Sequence, residues 1–340
     1  MSSLEIVELD VHDDAAFDAW HAAYVEAELA AGDGVASPWQ VEEVRAMMQV
    51  PGTRSRQLGW TGLVGGEVAA VGWVRLPLRD NVERAEIAVH TVPAHRRRGH
   101  GSAMLAHVEA AVRGLGRSIL VGEAVWPYDG GPEGRGEPGP AFALAQGYEL
   151  ALGDVKRVLR LPVDGAALDA LAAEVAEHHA GYTVRSFVGP VPDELLEGWA
   201  RLVSSLMTEA PTGDLAVEEE SADPALVREQ EALVARQGRT KFNTVALDPG
   251  GELVAYTDLA TTVHEPGKAY QWGTLVRRDA RGHRLGLAVK VANLRLLQAE
   301  APDVELLTTY NAEVNRPMIE VNERLGFAPV ARLGEFQKKQ

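Results

Sequence analysis

The chain has 340 residues, enough for one large or two ordinary domains, and its 46% hydrophobic and 24% charged content is ordinary for a globular protein. It has no cysteine, which excludes disulfides, thiolate zinc sites and cysteine nucleophiles. A formal net charge of −16 argues against nucleic-acid binding, which needs a basic face; it suits a cationic substrate, or solubility alone.

The start, MSSLEIVELDVHDD, lacks the basic-then-apolar order of a signal peptide, and no apolar run approaches the ~20 residues of a membrane span. A soluble cytoplasmic protein with no membrane partner is therefore expected. In chain order, residues 5–11 read as a strand. Residues 14–30 read as a helix, with Phe17, Trp20, Tyr24 and Leu29 near helical spacing. A second helix spans 37–49, where Ser37 suits the cap and Pro38 the first turn. RQLGWTGLV and EVAAVGWVRLPL flank Gly65-Gly66 as a hairpin, and RAEIAVHTV (84–92) alternates as a strand. The helix from 101 to about 115 puts Met104, Leu105, Val108, Ala111, Val112 and Leu115 on one face. An apolar strand (118–126), a Gly/Pro-rich loop (128–140), a short helix and a strand near 148–161 follow.

The second half repeats this order. A strand (182–189) precedes helices at about 193–209 and 223–237. A hairpin over KFNTVALD and ELVAYTDLATTV leads to a strand at 268–276. A helix (285–298), a strand (304–310), a helix (317–325) and a last strand complete it. Ala-rich residues 164–180 read as a linking helix. A period of about 180 residues is too long for a solenoid and reads as tandem duplication of one α/β domain.

The stretch VPAHRRRGHGSAML (92–105) runs from a strand into a helix through arginines and glycines. The first N–H groups of a helix lack internal partners and sit at the positive end of its dipole, glycines admit close approach, and arginines bind phosphate in bidentate fashion. The stretch is neither a Walker A loop nor a Rossmann fingerprint. It reads as a phosphate site or as a solvated basic helix start.

The order strand, two helices, hairpin, long strand, R-x-x-G-x-G turn, helix, strand, helix, strand resembles the GNAT superfamily of N-acetyltransferases, once per half. The matching residues are Arg96, Gly99 and Gly101, with Pro93 ahead of them. The resemblance implies two tandem GNAT (acyl-CoA N-acyltransferase) domains, each an α/β fold with a mixed sheet: residues 1–162, a linking helix 163–180, and residues 181–340. It also implies acetyl-CoA as co-substrate and no metal. The strand edge at Val89, His90 and Thr91 would hold the pantetheine arm. The N–H groups of Arg97, Arg98, Gly99, His100, Gly101 and Ser102 would hold the pyrophosphate, beside Arg96. In the second copy the corresponding set is Leu275, Val276, Arg281, Gly282, His283, Arg284, Leu285 and Gly286. Arg284 departs from the motif's first glycine, so its side chain would either clash with the pyrophosphate or bind it. NAEVNRPMIEVNERLGF resembles the family's closing motif, with Asn315 as the cofactor-contacting asparagine; the first copy has no such asparagine. The run from TLV to NERLGF resembles tandem acetyltransferases of high-GC actinobacteria.

Acetyl transfer needs a neutral amine, a base to take its proton and donors for the oxyanion. By resemblance Glu86, in an Ala-Glu-Ile context, is the candidate base; a solvent-facing strand residue is the other reading. His90 shares its strand face and reads as structural. In the second copy Gln271 replaces Glu86 and cannot act as a base, leaving Asp258, His264 and Glu265 as alternatives. The family's tyrosine acid is replaced by Ala143 in one copy and Asn322 in the other, and Tyr310 is a further possibility. Trp20, Tyr24 and Trp39 read as helix packing or as an aromatic wall for an amine cation. The expected function is acetyl transfer to a primary amine of a small molecule, by direct attack in a ternary complex, with one domain mainly structural. A non-catalytic acyl-CoA sensor, another acyl group, or a protein N-terminus as acceptor are the alternatives. A monomer or homodimer is expected.

Overall fold

The computed structural model describes residues 3–50 and 52–340. The elements are β1 (Glu5–Glu8), α1 (Asp14–Leu29), α2 (Val41–Gln49), β2 (Ser55–Val64), β3 (Glu67–Pro77), β4 (Arg84–Thr91), α3 (His100–Gly114), β5 (Ile119–Pro127), α4 (Pro138–Ala145), β6 (Glu149–Arg160) and α5 (Gly165–Ala176). They continue with β7 (Thr183–Val188), α6 (Asp193–Ser204), α7 (Leu206–Glu209), α8 (Pro224–Arg236), β8 (Arg239–Leu247), β9 (Leu253–Thr262), β10 (Lys268–Val276), α9 (Leu285–Glu300), β11 (Leu306–Ala312), α10 (Arg316–Leu325) and β12 (Ala328–Lys339).

Local chemistry sets several ends. Asp13 caps α1 through its side chain, and Asp223 caps α8 with Pro224 in the first turn. α2 starts later than Ser37 suggests: Glu43 reaches back to the Gln40 N–H in a capping box, and Pro38 lies outside the helix. The single helix expected over 193–209 is interrupted at Ser205.

The chain forms two compact units. The N-terminal unit is Met1–Asp154 with Gly213–Ala216 and Val330–Gln340; the other is Val155–Thr212 with Val217–Pro329. This division differs from one made at residue 162, because the boundary falls inside β6 and the last residues of the chain belong to the N-terminal unit. Strand order in that unit is β1-β2-β3-β4-β5-β12-β6. β12 lies antiparallel to β5 from Ala331↔Pro127 to Lys339↔Ile119. In the C-terminal unit the order is β6-β11-β10-β9-β8-β7. Each sheet is mixed, with β4–β5 and β10–β11 parallel.

In the N-terminal unit α3 covers one face of the sheet through Met104, Leu105, Val108 and Val112, which pack with Trp60, Val74, Leu120 and Phe336. A Cβ on Gly72 would stand 2.9 Å from Val108, so glycine there lets α3 sit close to β3. α1 covers the opposite face with Phe17, Trp20 and Tyr24. In the C-terminal unit α9 and α6 hold the corresponding places. The expected linking helix, α5, buries Leu168 and Val175 in that unit's core.

Candidate active site

After β4, Pro93–His95 form one 3-10 turn and Arg96 is extended. Arg97 (φ 61°) and Gly99 (φ 87°) are left-handed, and Gly99 leads into α3 with no side chain capping the helix. Among the described residues, nothing accepts from the backbone N–H groups of Arg97 to Ser102. Arg97, Arg98, Gly99 and Ser102 are exposed, and His100 is buried. The Arg97 and Arg98 guanidiniums make no hydrogen bond or ion pair to a described residue. Unpartnered N–H groups at a helix start, flanked by free cations, can accept a phosphate. The Arg96 side chain is used otherwise. It is half-buried and donates to Thr91 O (3.1 Å) and Ala27 O (3.0 Å), so it holds the turn rather than reaching for a ligand.

The second turn has the same backbone with its residues exchanged. Arg281 donates to Val276 O (3.2 Å), the equivalent of Thr91 O, and to Glu209 (2.7 Å). Gly282 (φ 92°) takes the left-handed place of Arg97, and Arg284 (φ 54°) that of Gly99. Each turn thus needs two left-handed residues, and each fills one with glycine and one with arginine. Arg284 is exposed and points towards Glu320 (3.7 Å).

The β4–β5 ladder ends at Glu86↔Val121, leaving Ile87–Thr91 paired to β3 alone. The expected pantetheine edge at Val89, His90 and Thr91 lies on this free stretch. In the C-terminal unit β10–β11 pairing ends at Tyr270↔Thr308, so Leu275 and Val276 lie on a similar free edge, beyond a bulge between Gln271 and Thr274. A free strand edge running into unpartnered N–H groups can take an extended, amide-bearing ligand.

On the α1 face of the N-terminal unit, carboxylates gather beside that splay. Glu86 accepts through both oxygens from Arg75 Nη1 (2.9 Å), its cross-strand partner, and lies 3.8 Å from Arg84. Glu123 stands on β5 two residues past the last β4 partner, opposite Glu335 of β12. It is exposed to solvent, feels the charges of four other carboxylates, and has no hydrogen bond or ion pair among the described residues. Desolvation first, then the charges of Glu335, Glu86, Glu28 and Asp154, raise the Glu123 carboxyl to about 8. Desolvation and Asp154 raise Glu335 to about 7, against the pull of Arg84 at 3.7 Å. His90 Nδ1 is 3.3 Å from Glu28, and burial lowers its pKa. Trp20 and Tyr24 are core: Trp20 donates to Trp60 O, and the Tyr24 hydroxyl accepts from the Trp39 N–H. The Tyr24 ring lies 5.0 Å from His90. Burial raises its phenol well above the ordinary value.

The corresponding face of the C-terminal unit is chemically different. Asp258 is ion-paired with Lys241 and accepts from Gly273 N–H (2.7 Å) in the bulge. Lys241 lies over Trp199 and Trp272. Gln271 donates to the Asp258 backbone oxygen and to Thr257. Glu265 accepts from Tyr270 and Lys268 beyond the end of β9. Asn315 caps α10, accepting from Met318 N–H at 3.4 Å. Asn322 is buried between Lys290 and Asn311. No cluster of histidine and carboxylate side chains suited to a metal occurs among the described residues, and no helix among them is long and apolar enough to cross a membrane.

Glu123 and Glu335 were missed by sequence reasoning. Glu123 sits in an apolar strand whose alternation marks it as outward-facing, and Glu335 is a single acid in the last strand. The signal was an acid at a position facing the α1 side, visible only once β12 is known to pair with β5.

The Acetyltransferase (GNAT) family model matches residues 17–124. A mycothiol acetyltransferase of Streptomyces avermitilis is 30% identical over 273 residues, covering 76% of this chain and 73% of that one. The chain belongs to the GNAT family of N-acetyltransferases. A second mycothiol acetyltransferase, from Thermomonospora curvata, is 29% identical over 294 residues, with 84% of each chain covered. Among solved structures, a tandem GNAT protein from the clavulanic acid biosynthesis pathway superposes with a TM-score of 0.77 at 28% identity, covering 99% of this chain and 98% of that one. The two halves are accordingly tandem GNAT domains, and the protein is a GNAT N-acetyltransferase.

Proposed function

We propose that this tandem GNAT enzyme moves the acetyl group of acetyl-CoA to a primary amine of a small molecule, with the N-terminal unit carrying the chemistry. The observation that carries this reading is the continuity, in that unit, of free strand edge, unpartnered helix-start N–H groups and a group of carboxylates in which Glu123 has no partner among the described residues. The edge of Ile87–Thr91 would align the pantetheine arm, and the N–H groups of Arg97–Ser102 with Arg97 and Arg98 would bind the pyrophosphate. Acidic side chains on the α1 face would draw in a cationic amine and take its proton. In the C-terminal unit Asp258 is committed to Lys241 and Gly273. That favours a structural or cofactor-holding part for this unit.

The relatives named for mycothiol support a related acceptor as a second reading. The test is release of free thiol from acetyl-CoA against aminoglycosides, polyamines, amino acids and a mycothiol-type amine. Saturable release with one class supports the reading and names the acceptor. Tight acetyl-CoA binding without release for any amine overturns it.

A further inference from the structure

We infer that Glu123, not Glu86, is the base that takes the proton from the attacking amine in the N-terminal unit, an inference that rests on the proposed amine acetylation there. Its geometry separates it from Glu86, Glu335 and Glu28. Glu86 is held through both oxygens by Arg75 at 2.9 Å, with Arg84 at 3.8 Å, so its lone pairs are committed to a cation. Glu335 faces Arg84, and Glu28 faces His90. Glu123 alone of these has no hydrogen bond or ion pair among the described residues, is open to solvent, and stands where β5 has parted from β4.

The groups facing it agree with that role. Glu335 on β12, Glu86 on β4, Glu28 on α1 and Asp154 on β6 all oppose its ionisation. Arg84 is engaged between Glu86 and Glu335, and Arg75 is spent on Glu86. Such a carboxylate is more basic than an ordinary one, which suits it to an amine proton near neutral pH. In the step itself the amine nitrogen forms a bond to the thioester carbonyl carbon and the C–S bond breaks. The thiolate leaves with the electron pair, and the nitrogen's proton passes to the Glu123 carboxylate. The resulting acid is close in strength to a thiol (pKa ~8.5), so the same proton can return to the thiolate. Glu335 acts as a positioning residue, keeping Glu123 basic through its charge.

The test compares the pH dependence of kcat/KM in wild type, Glu123→Gln, Glu86→Gln and Glu335→Gln, using the best amine from the thiol-release panel. Glu123→Gln is expected to lower kcat roughly 10²–10⁴-fold, with the rising alkaline limb lost and acetyl-CoA affinity unchanged. Glu335→Gln is expected to move the limb to lower pH, which a merely structural residue would not do. Glu86→Gln is expected to retain the limb. A Glu123→Gln enzyme with an unaltered rate and limb overturns the inference while leaving amine acetylation intact. A wild type inactive with every amine overturns the functional reading itself. Independently of turnover, carbon NMR of the glutamate carboxyls should show Glu123 titrating near 8; titration in the ordinary carboxylate range also overturns it.

Discussion

Lys290 is buried in α9 with its Nζ 2.6 Å from Asn322 Oδ1, and Asn322 donates in turn to Asn311. Burial without a carboxylate partner pulls its pKa from 10.5 down to about 7. Between those values the unfolded chain holds a proton that the folded chain does not, so this group adds stability as pH rises from about 7 to 10.5, and the addition is lost on going down. Urea unfolding across that range should show the slope in wild type and lose it in Lys290→Met, which keeps the side chain's length and apolar contacts. Wild type and variant with equal slopes would remove the burial argument. The sequence pattern did not announce this lysine, because helical periodicity marks the position as inward without naming what it meets. The turn arginines show a different gap. The motif R-x-x-G-x-G made Arg284 look like a departure, but a spacing pattern does not say which positions need positive φ. The backbone does: Gly282 and Arg284 exchange the places of Arg97 and Gly99.

Among the elements, β12 departs most from what the chain order suggests. Strands, helices and the two turns fall close to their expected ranges because apolar alternation and caps are local signals. The partner of a strand is not local. β12 follows α10 in the chain yet lies beside β5, and Phe336 packs among Trp60, Met104 and Trp126 in the N-terminal unit. Lys338 pairs with Glu109 of α3 (2.9 Å) and Arg113 donates to Gln340 (2.8 Å), fastening the chain's end there. Phe336→Ala should therefore cost about 3–5 kcal/mol. Hydrogen exchange should locate the loss in α3, β4 and β5 of the N-terminal unit. Loss of protection confined to β7–β11 would show that the C-terminal strand serves the other unit. The same pairing brings Glu335 to Glu123, so the part of this acidic group invisible in the sequence is the part that depends on this strand.

At the scale of the molecule, two GNAT domains share one backbone plan and differ in chemistry. Both have the splayed central strands and the arginine-held turn. The N-terminal unit adds a group of acids in which Glu123 has no hydrogen bond or ion pair among the described residues, and in the C-terminal unit Asp258 is closed into an ion pair with Lys241, which lies over two tryptophans. The duplication and the family were legible because their signals are repeated along the chain. The division of labour was not, because it depends on whether a carboxylate meets an arginine, a lysine or nothing. Arg98 and His283 occupy the same exposed place in the two turns, so each allows a carboxylate to be set against one set of N–H groups without disturbing a left-handed residue. Steady-state thiol release by Arg98→Glu and His283→Glu, with acetyl-CoA varied, tests the central claim most directly. The expected result is a KM for acetyl-CoA raised roughly tenfold or more in Arg98→Glu, as loss of a charge-assisted phosphate contact implies, with His283→Glu turning over as wild type. Loss of turnover in His283→Glu alongside an unchanged Arg98→Glu would place the chemistry in the C-terminal unit and contradict the account.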